Sequence, residues 1–375
     1  MNVQIVSEWG LAPMDEVARQ HGHSAPIGHL KVATQRPERF VHATPTIEDV
    51  GRYAGVSRQT VSNVMNAPER VRPETISRVQ LAINTLGYRA NHNARNLRTG
   101  TSRAIAYRIP PIAGHLNSVM DSFLHELTEA VEAIGCHILL FASTDLDAEI
   151  SKYWELSAQS AADGVVFSST ERDDRRPGRL LERRMPFVSF GRTWGSSDHS
   201  WVDVDGRAGT RLAIDHLLAH GHRRFAWLGP RNPGVVNDER EHGVRSAIAA
   251  AGIPASDLHI VSLRDEPTDD RKAIADLLDG PDAPTAWVSM SDLQALTVLG
   301  ELEARGLVPG RDAAVIGFDD SPVAAYAGGG LTTIRQPITA VATTIAQLLS
   351  VQFADPNSEP QGVLLEPELI VRRTG

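Results

Sequence analysis

The fold of the N-terminal part is decided by residues 46–88, TIEDVGRYAGVSRQTVSNVMNAPERVRPETISRVQLAINTLGY. Thr46 is the type of residue that caps a helix, and Asp49, three residues later, completes a capping pattern. Gly55 ends that helix, and Ser57 is suited to cap a second one. The stretch therefore predicts two short helices joined by a tight glycine-containing turn, which is the helix-turn-helix pattern.

A third helix is predicted in the same stretch. Pro73 suits its first turn, because proline has no N–H to leave unpaired there, and Gly87 ends it. Apolar residues recur inside it at spacings of three and four, the period of one helix face: Ile76, Val79, Ile83 and Leu86. We therefore expect residues 44–90 to form a three-helix domain.

Charge is distributed unevenly along the chain. The net charge is −9 over 375 residues. Residues 44–103, however, hold nine Arg and four acidic residues, and residues 1–43 hold four basic and four acidic ones. Residues 104–375 are therefore strongly acidic. A basic segment joined to an acidic body is expected of a DNA-binding domain attached to a body that is kept off DNA.

Composition argues against membrane and secreted classes. Apolar residues make up 42% of the chain and charged residues 22%, which is the ordinary globular range. No apolar run approaches the roughly 18 residues of a membrane helix, and the N-terminus lacks the pattern of a secretory signal. The single cysteine, Cys136, allows no disulfide framework. We expect a cytoplasmic protein with no membrane partner, in which residues 1–43 are a disordered extension.

After about residue 100 the sequence changes character. Short apolar runs alternate with segments of helical length, and the runs include AIAYRI (104–109), DGVVFSS (163–169), RRFAWLG (223–229) and AAVIGF (313–318). This alternation predicts parallel sheets flanked by helices, the doubly wound α/β architecture. Ligands of such folds bind at the carboxyl ends of the strands.

The stretch quoted above, extended to residue 100 by RANHNARNLRTG, closely resembles the DNA-binding head of the lactose-repressor (LacI/GalR) family. The resemblance continues in the body through DHLLAHGHRRFAWLGP, DEREHGVRSAIAAAG, VIGFDD and LTTIRQP. It implies a hinge helix and linker at 91–102, then a core of the periplasmic-binding-protein type at 103–375. Two lobes are expected in that core: an N-lobe of about 103–202 and 335–360, and a C-lobe of about 203–334 and 361–375.

The resemblance also implies which side chains contact DNA. It assigns base reading in the major groove to Arg58, Gln59 and Asn63, where arginine suits guanine and the amides suit adenine. Ser57 would both cap its helix and hold a phosphate. The full set of expected backbone contacts is Thr46, Ser57, Thr60, Ser62, Asn66, Tyr88 and Arg95, with a solvated arginine as the alternative for the last.

In the hinge, the resemblance places Leu97 in the minor groove at the operator centre, where an apolar wedge unstacks a base step and kinks the duplex. The sequence departs from the family at three positions. Ala90 and His92 stand where prolines are usual, which predicts a more flexible hinge. Arg72 stands where a capping serine is common, which predicts a less rigid start of the third helix.

For the body, the resemblance implies a small, sugar-like effector held between the lobes. Arg240, three residues before Gly243, matches the arginine that holds the effector in the family, and an interdomain ion pair is its alternative role. Asp319 matches an acid that bonds sugar hydroxyls, and a turn-capping carboxylate is its alternative. The further cleft candidates are Asn117, Arg192 and Asp292, with a surface arginine as the alternative for Arg192. Ser291 stands where the family commonly has asparagine.

The sequence does not support an enzyme or a metal site. Phosphate-loop, nucleophile-elbow and dinucleotide-loop patterns are all missing from it, so we expect no catalytic residue and no cofactor. His216 and His220 have the spacing of metal ligands on a helix, but they lie in a segment that resembles a helix end of the family, and we interpret them as structural.

We therefore expect a homodimeric repressor of carbohydrate-utilisation genes that binds a palindromic DNA operator and a sugar effector. Two alternatives stay open within regulators, namely a purine-sensing member and one controlled by a phosphorelay protein. A transport-type sugar-binding protein would share the core but lack the DNA-binding head.

Overall fold

The computed structural model describes residues 45–88, 101–109, 118–193, 198–230, 234–263 and 267–375. The chain divides into two compact units between residues 90 and 91. The expected extension at 1–43 and the expected hinge helix lie outside the described residues, and so do Arg95, Leu97 and Asn117.

The first unit is the predicted three-helix domain. It contains α1 (Ile47–Ala54), α2 (Arg58–Asn66), a short 3-10 turn (Pro68–Arg70) and α3 (Pro73–Leu86). Thr46 and Asp49 form reciprocal capping bonds at the start of α1. Gly55 and Gly87 end α1 and α3 in left-handed conformations, with φ of 65° and 63°, which glycine adopts without strain. The core between the helices is built from fully buried side chains: Val50, Val61, Val79 and Ala82.

The second unit contains two six-stranded sheets. The strands of the first sheet are β1 (Ala104–Arg108), β2 (His137–Phe141), β3 (Gly164–Phe167), β4 (Phe187–Phe190), β5 (Ser200–Val204) and β11 (Gly362–Leu365). They run in the order β11-β5-β4-β3-β1-β2, and every neighbouring pair is parallel. The accompanying helices are α4 (Ser118–Ala133), α5 (Leu146–Ala158), α6 (Arg176–Glu182) and α11 (Ile338–Ala354). We call this part the first lobe.

The second sheet has the same strand order. Its strands are β6 (Phe225–Pro230), β7 (Leu258–Leu263), β8 (Ala286–Ser289), β9 (Ala314–Asp319), β10 (Thr332–Arg335) and β12 (Glu368–Ile370). They run in the order β12-β10-β9-β8-β6-β7, and only β12 is antiparallel to its neighbour among these described strands. The helices are α7 (Gly206–Ala219), α8 (Val235–Ala250), α9 (Pro267–Leu278) and α10 (Asp292–Ala304). We call this part the second lobe.

The doubly wound, two-lobed core is therefore confirmed, but one expected lobe boundary is wrong. The strand Gly362–Leu365 pairs with β5 in the first sheet, although 361–375 had been assigned to the C-lobe. The physical reason is packing, because Val363 and Leu365 of this strand pack against the hydrophobic core of the first lobe. Asp203 and Val204 likewise complete β5 rather than begin the second lobe.

The chain crosses between the lobes at 204–206, 335–338 and 365–368. Strand order reverses between β1 and β3 in the first sheet and between β6 and β8 in the second. In folds of this kind, ligands bind outside the carboxyl ends of the strands at these two positions. No helix in the described parts of the chain is long and apolar enough to cross a membrane.

Candidate functional site

The polar residues of α2 lie on the side opposite its buried residues. Val61 and Val64 are packed in the core of the first unit, whereas Arg58 and Gln59 are exposed at the N-terminal end of the helix. Gln59 Nε2 donates a 3.0 Å hydrogen bond to Asn63 Oδ1, so the two amides predicted to recognise adenine are adjacent. This end of α2 can therefore present a guanidinium and an amide to base edges.

The hydroxyl residues predicted to contact phosphates are also used inside the first unit. Thr46 and Ser57 cap α1 and α2, and Ser57 Oγ lies 2.9 Å from Thr60 Oγ1. Asn66 Nδ2 donates a 2.8 Å hydrogen bond to the carbonyl of Ser62. These bonds fix the hydroxyl and amide side chains at the ends of α1 and α2. Phosphate contacts by these side chains stay a prediction.

The exposed residues of α2 have neighbours on α1 and in the residue that follows the C-cap of α3. Arg58 Nη1 is 3.4 Å from Glu48 Oε1, and both side chains are exposed, so the pair contributes little to stability. Tyr88 packs against the core of the first unit, and burial raises the pKa of its hydroxyl. Arg72 precedes α3 in the described first unit, and its side chain makes no capping hydrogen bond to that helix. This is what the replacement of the usual capping serine by arginine predicts.

Arg240 lies buried on α8 at the strand-order reversal of the second sheet. Its Nη1 donates a hydrogen bond to the carbonyl of Met290, which follows β8, and its guanidinium is 3.5 Å from the ring centroid of Phe318. Burial lowers the pKa of this arginine, against the opposing charge of Asp319. Its Nε is buried and has no hydrogen-bond partner among the described residues, so one donor of this buried cation is unsatisfied.

Asp319 ends β9 on the same side of the second sheet. Its Oδ1 accepts a 2.7 Å hydrogen bond from Gln336 Nε2 and is 3.9 Å from Arg240 Nη1. Burial raises the pKa of its carboxyl group to about 7, although Arg240 acts in the opposite direction. Its φ is 115°, a conformation that costs a non-glycine residue of order 1–3 kcal/mol and persists only where the surroundings impose it.

Asp292 is buried at the start of α10, and its bonds point into the second lobe. One oxygen accepts from the backbone N–H and the hydroxyl of Ser321, at 2.6 and 2.7 Å, and the other accepts from the hydroxyl of Thr333. Burial raises the pKa of its carboxyl group. Asp292 thus fixes the segment that follows Asp319, and its direct contact with an effector stays a prediction.

Arg192 follows β4 in the first lobe and is not a solvated surface arginine. Its Nε donates a 2.8 Å hydrogen bond to Asp203, at the end of β5, and its Nη2 is 3.3 Å from Glu239 on α8. These ion pairs raise the pKa of its guanidinium against the effect of burial. The structure therefore places Arg192 between the lobes, with carboxylates already bound to it.

Some residues of this site were missed by the sequence analysis. Gln336 lies in the quoted segment LTTIRQP, so its position beside Asp319 could have been proposed from the resemblance. Phe318 and Glu239 adjoin the predicted Asp319 and Arg240, but nothing local in the sequence shows that one stacks on a guanidinium and the other binds two arginines.

His216 and His220 lie together at the C-terminal end of α7, where His220 caps the helix. The rings of His216 and His220 are 4.4 Å apart, and His220 Nδ1 lies 2.8 Å from the carbonyl of His216. Burial lowers the pKa of His216. In the part of the chain that the structure describes, no group of three or more His, Cys, Asp or Glu residues is placed to hold a metal ion.

Two family models match the chain, the first over the DNA-binding unit and the second over the later part of the body. Residues 46–91 match the model for bacterial regulatory proteins of the lacI family. Residues 214–374 match the model for a periplasmic binding protein-like domain. The first match contains all three helices of the DNA-binding domain, and the second contains Arg240, Asp292 and Asp319.

Individual relatives extend the similarity over most of the chain. The HTH-type transcriptional regulator CelR of Thermobifida fusca is 34% identical over 336 residues, which is 88% of this chain and 98% of the relative. The HTH-type transcriptional repressor PurR of Aliivibrio salmonicida is 27% identical over 333 residues, with 88% and 98% covered. A solved structure of a transcriptional regulator CelR–cellobiose complex superposes with a TM-score of 0.65 at 31% identity, covering 88% of this chain and all of that one. The chain belongs to the lacI family of bacterial regulatory proteins.

Proposed function

We propose that the protein is a sequence-specific DNA-binding transcription regulator, a repressor whose operator affinity is controlled by a sugar-like effector. The observation that carries this proposal is the Arg240–Asp319 pair at the carboxyl edge of the second sheet, in a chain whose other unit is a helix-turn-helix domain. The named relatives are transcription regulators, and we propose no catalytic activity and a cytoplasmic location.

A neutral polyol fits the two charged side chains. Arg240 has an unsatisfied Nε donor, and Asp319 has a carboxyl group whose oxygens can accept from hydroxyl groups. Charged groups that have lost water need several hydrogen bonds in return, and the neighbouring hydroxyls of a sugar supply donors and acceptors together. The CelR relative in complex with cellobiose makes β-linked glucosides the first effectors to test.

On DNA, we propose a homodimer on a near-palindromic operator. Two α2 helices related by a twofold axis would read half-sites about one helical turn apart, with Arg58, Gln59 and Asn63 on base edges. The acidic body would then stay away from the duplex while the basic segment 44–103 supplies the phosphate contacts.

The test begins with selection of operator DNA from a random duplex pool by the purified full-length protein. Fluorescence anisotropy then measures affinity for the selected duplex, alone and with cellobiose, monosaccharides or purine bases. We expect a sugar to change operator affinity by about 5- to 150-fold, since allosteric coupling is typically 1–3 kcal/mol. The Arg240→Ala variant should keep the effector-free affinity for operator DNA and lose the response to the sugar.

A duplex pool from which no sequence is selected would contradict the DNA-binding proposal. A selected operator whose affinity no sugar changes would contradict the proposed effector class.

A purine is the second candidate effector, because the family resemblance leaves a purine-sensing regulator open. The PurR relative covers the same share of the chain as the CelR relative, at 27% identity against 34%. The same titrations separate the two classes. A ligand that binds only the native state also raises the melting temperature, so a thermal-shift panel of sugars and purines gives an independent result.

A further inference from the structure

Four charged side chains surround one of the crossings between the lobes. Asp203 is at the end of β5, and Arg207 is in the first turn of α7, so they flank the crossing at 204–206. Arg192 binds Asp203 from within the first lobe. Glu239 on α8 completes the set, which we call the hinge cluster: Arg192, Asp203, Arg207 and Glu239.

Glu239 is the member that joins the two lobes. Its carboxylate is 3.3 Å from Nη2 of Arg192 in the first lobe and 2.6 Å from Nε of Arg207 in the second. The Glu239 side chain is 8% exposed and that of Arg192 is 29% exposed, so solvent screens this pair less than an ordinary surface ion pair. Removing one cationic partner of a buried carboxylate is destabilising, because part of the buried charge is then left uncompensated.

The hinge cluster is linked to Arg240 by the chain itself and by a hydrogen bond to α7. Glu239 directly precedes Arg240 on α8, and the carbonyl of Arg240 accepts a 2.8 Å hydrogen bond from the hydroxyl of Thr210 on α7. Any rotation of the first lobe that separates Arg192 from Glu239 therefore acts on the turn of α8 that carries Arg240. The residue before Glu239 adds a weaker bridge, because Asp238 is 2.6 Å from Arg172 of the first lobe, although these side chains are 31% and 60% exposed.

We propose that Glu239 is a positioning residue for effector binding: through Arg192 it holds the first lobe closed over the helix that carries Arg240. It does not contact the effector itself. The effector-binding part of this inference rests on the proposed function, whereas the lobe-closing part does not.

The first experiment measures lobe closure with no effector present. The chain has a single cysteine, so a Cys136→Ser background accepts two spin labels at exposed sites, one in each lobe, through Glu359→Cys and Asp282→Cys. Electron–electron distance measurements are made on the full-length protein with and without Glu239→Gln. We expect the variant to give a broader distribution shifted to longer distances.

Glu241→Gln is the matched control. Glu241 is on the same helix, and its 2.8 Å ion pair with Arg245 lies within α8 and spans no lobe boundary. Arg192→Gln breaks the bridge from the other side and serves as the second variant if Glu239→Gln does not fold. Because Glu239 and Arg192 form one ion pair between the lobes, the Arg192→Gln/Glu239→Gln double variant should give label distances no longer than either single variant.

The second experiment is calorimetry with cellobiose as the probe. We expect Glu239→Gln to weaken binding about three- to tenfold, in the range of coupling between contacting residues, and Glu241→Gln to leave it unchanged. A distance distribution of Glu239→Gln that matches Glu241→Gln overturns the proposal. If wild type does not bind cellobiose, the effector assignment fails, and the distance measurements still decide the role of Glu239.

Discussion

Gly206 and Arg240 are in direct contact, and a Cβ placed on Gly206 would lie 3.0 Å from Cγ of Arg240. Gly206 is the first residue of α7, immediately after the chain has crossed from the first lobe to the second. The aliphatic stem of the arginine thus packs on the backbone of the hinge. A side chain at this position would push the stem and shift the guanidinium away from Met290 and Phe318.

Gly206→Ala should therefore weaken effector binding with little change in stability. Alanine in a helix gains up to about 1 kcal/mol over glycine, which offsets part of the cost of moving the arginine stem. Gly300→Ala is the matched control, because Gly300 lies inside α10 with nothing within 4 Å of its added Cβ. Calorimetry and chemical denaturation of both variants check this. Equal effector affinities in the two would show that the contact has no role in binding.

Asp319→Asn should change how stability depends on pH. The carboxyl group of Asp319 has a pKa of about 7 in the folded chain against 3.8 in a model compound, so the folded state binds its proton more tightly. Its contribution to the free energy of unfolding is complete below about pH 4 and is lost as the pH rises to about 7. The asparagine variant cannot titrate there, so its stability relative to wild type should rise between these pH values.

Urea denaturation at closely spaced pH values measures this difference. Glu359→Gln, which removes an exposed carboxylate from the first lobe, is the control and should run parallel to wild type. Parallel curves for Asp319→Asn as well would mean that Asp319 is ionised across the whole range.

Arg58→Ala should weaken operator binding by about 1–3 kcal/mol and relax selection at one symmetric pair of base positions. The partner variant Glu48→Gln breaks the same 3.4 Å ion pair but leaves the arginine in place, so it separates loss of the pair from loss of recognition. Anisotropy on the selected operator and on single-base variants gives both quantities. Unchanged specificity in Arg58→Ala would show that another part of α2 faces the bases.

Leu97→Ala tests the hinge, which lies outside the described residues. Two Leu97 side chains would wedge into one base step at the operator centre, and the family resemblance favours a CG step there. The variant should keep weak, salt-sensitive DNA binding but lose most discrimination and most of the bend. Circular-permutation electrophoresis measures the bend, and a variant complex bent as strongly as wild type would refute the wedge.

The parts of the fold that depend on local chemistry could be predicted from the sequence. The caps at Thr46 and Ser57 and the left-handed glycines at Gly55 and Gly87 are each decided within a few residues, and they are found as expected. Likewise, the alternation of apolar runs and helices predicted the doubly wound core. The strand Gly362–Leu365 was misplaced because its partner, β5, is more than a hundred residues away and no local pattern identifies it.

The site was predicted less completely, for the same reason. Arg240 and Asp319 were found through short motifs, and the structure brings them to 3.9 Å of each other. Arg192 and Asp292 were expected to contact the effector, yet their bonds are to Glu239, Ser321 and other residues that only the folded chain brings near. Motifs identify charged side chains, whereas their partners depend on tertiary packing.

The late position of β11 in the sequence also determines when each part of the chain can fold during synthesis. The first unit has its whole hydrophobic core within residues 45–88, so it can fold while the body is still being translated. The first sheet lacks its outer strand until residue 365 has left the ribosome, which takes tens of seconds more at ~5–20 residues per second. A premature stop before residue 362 would remove β11 from one lobe and β12 from the other, and leave a folded DNA-binding domain without effector control.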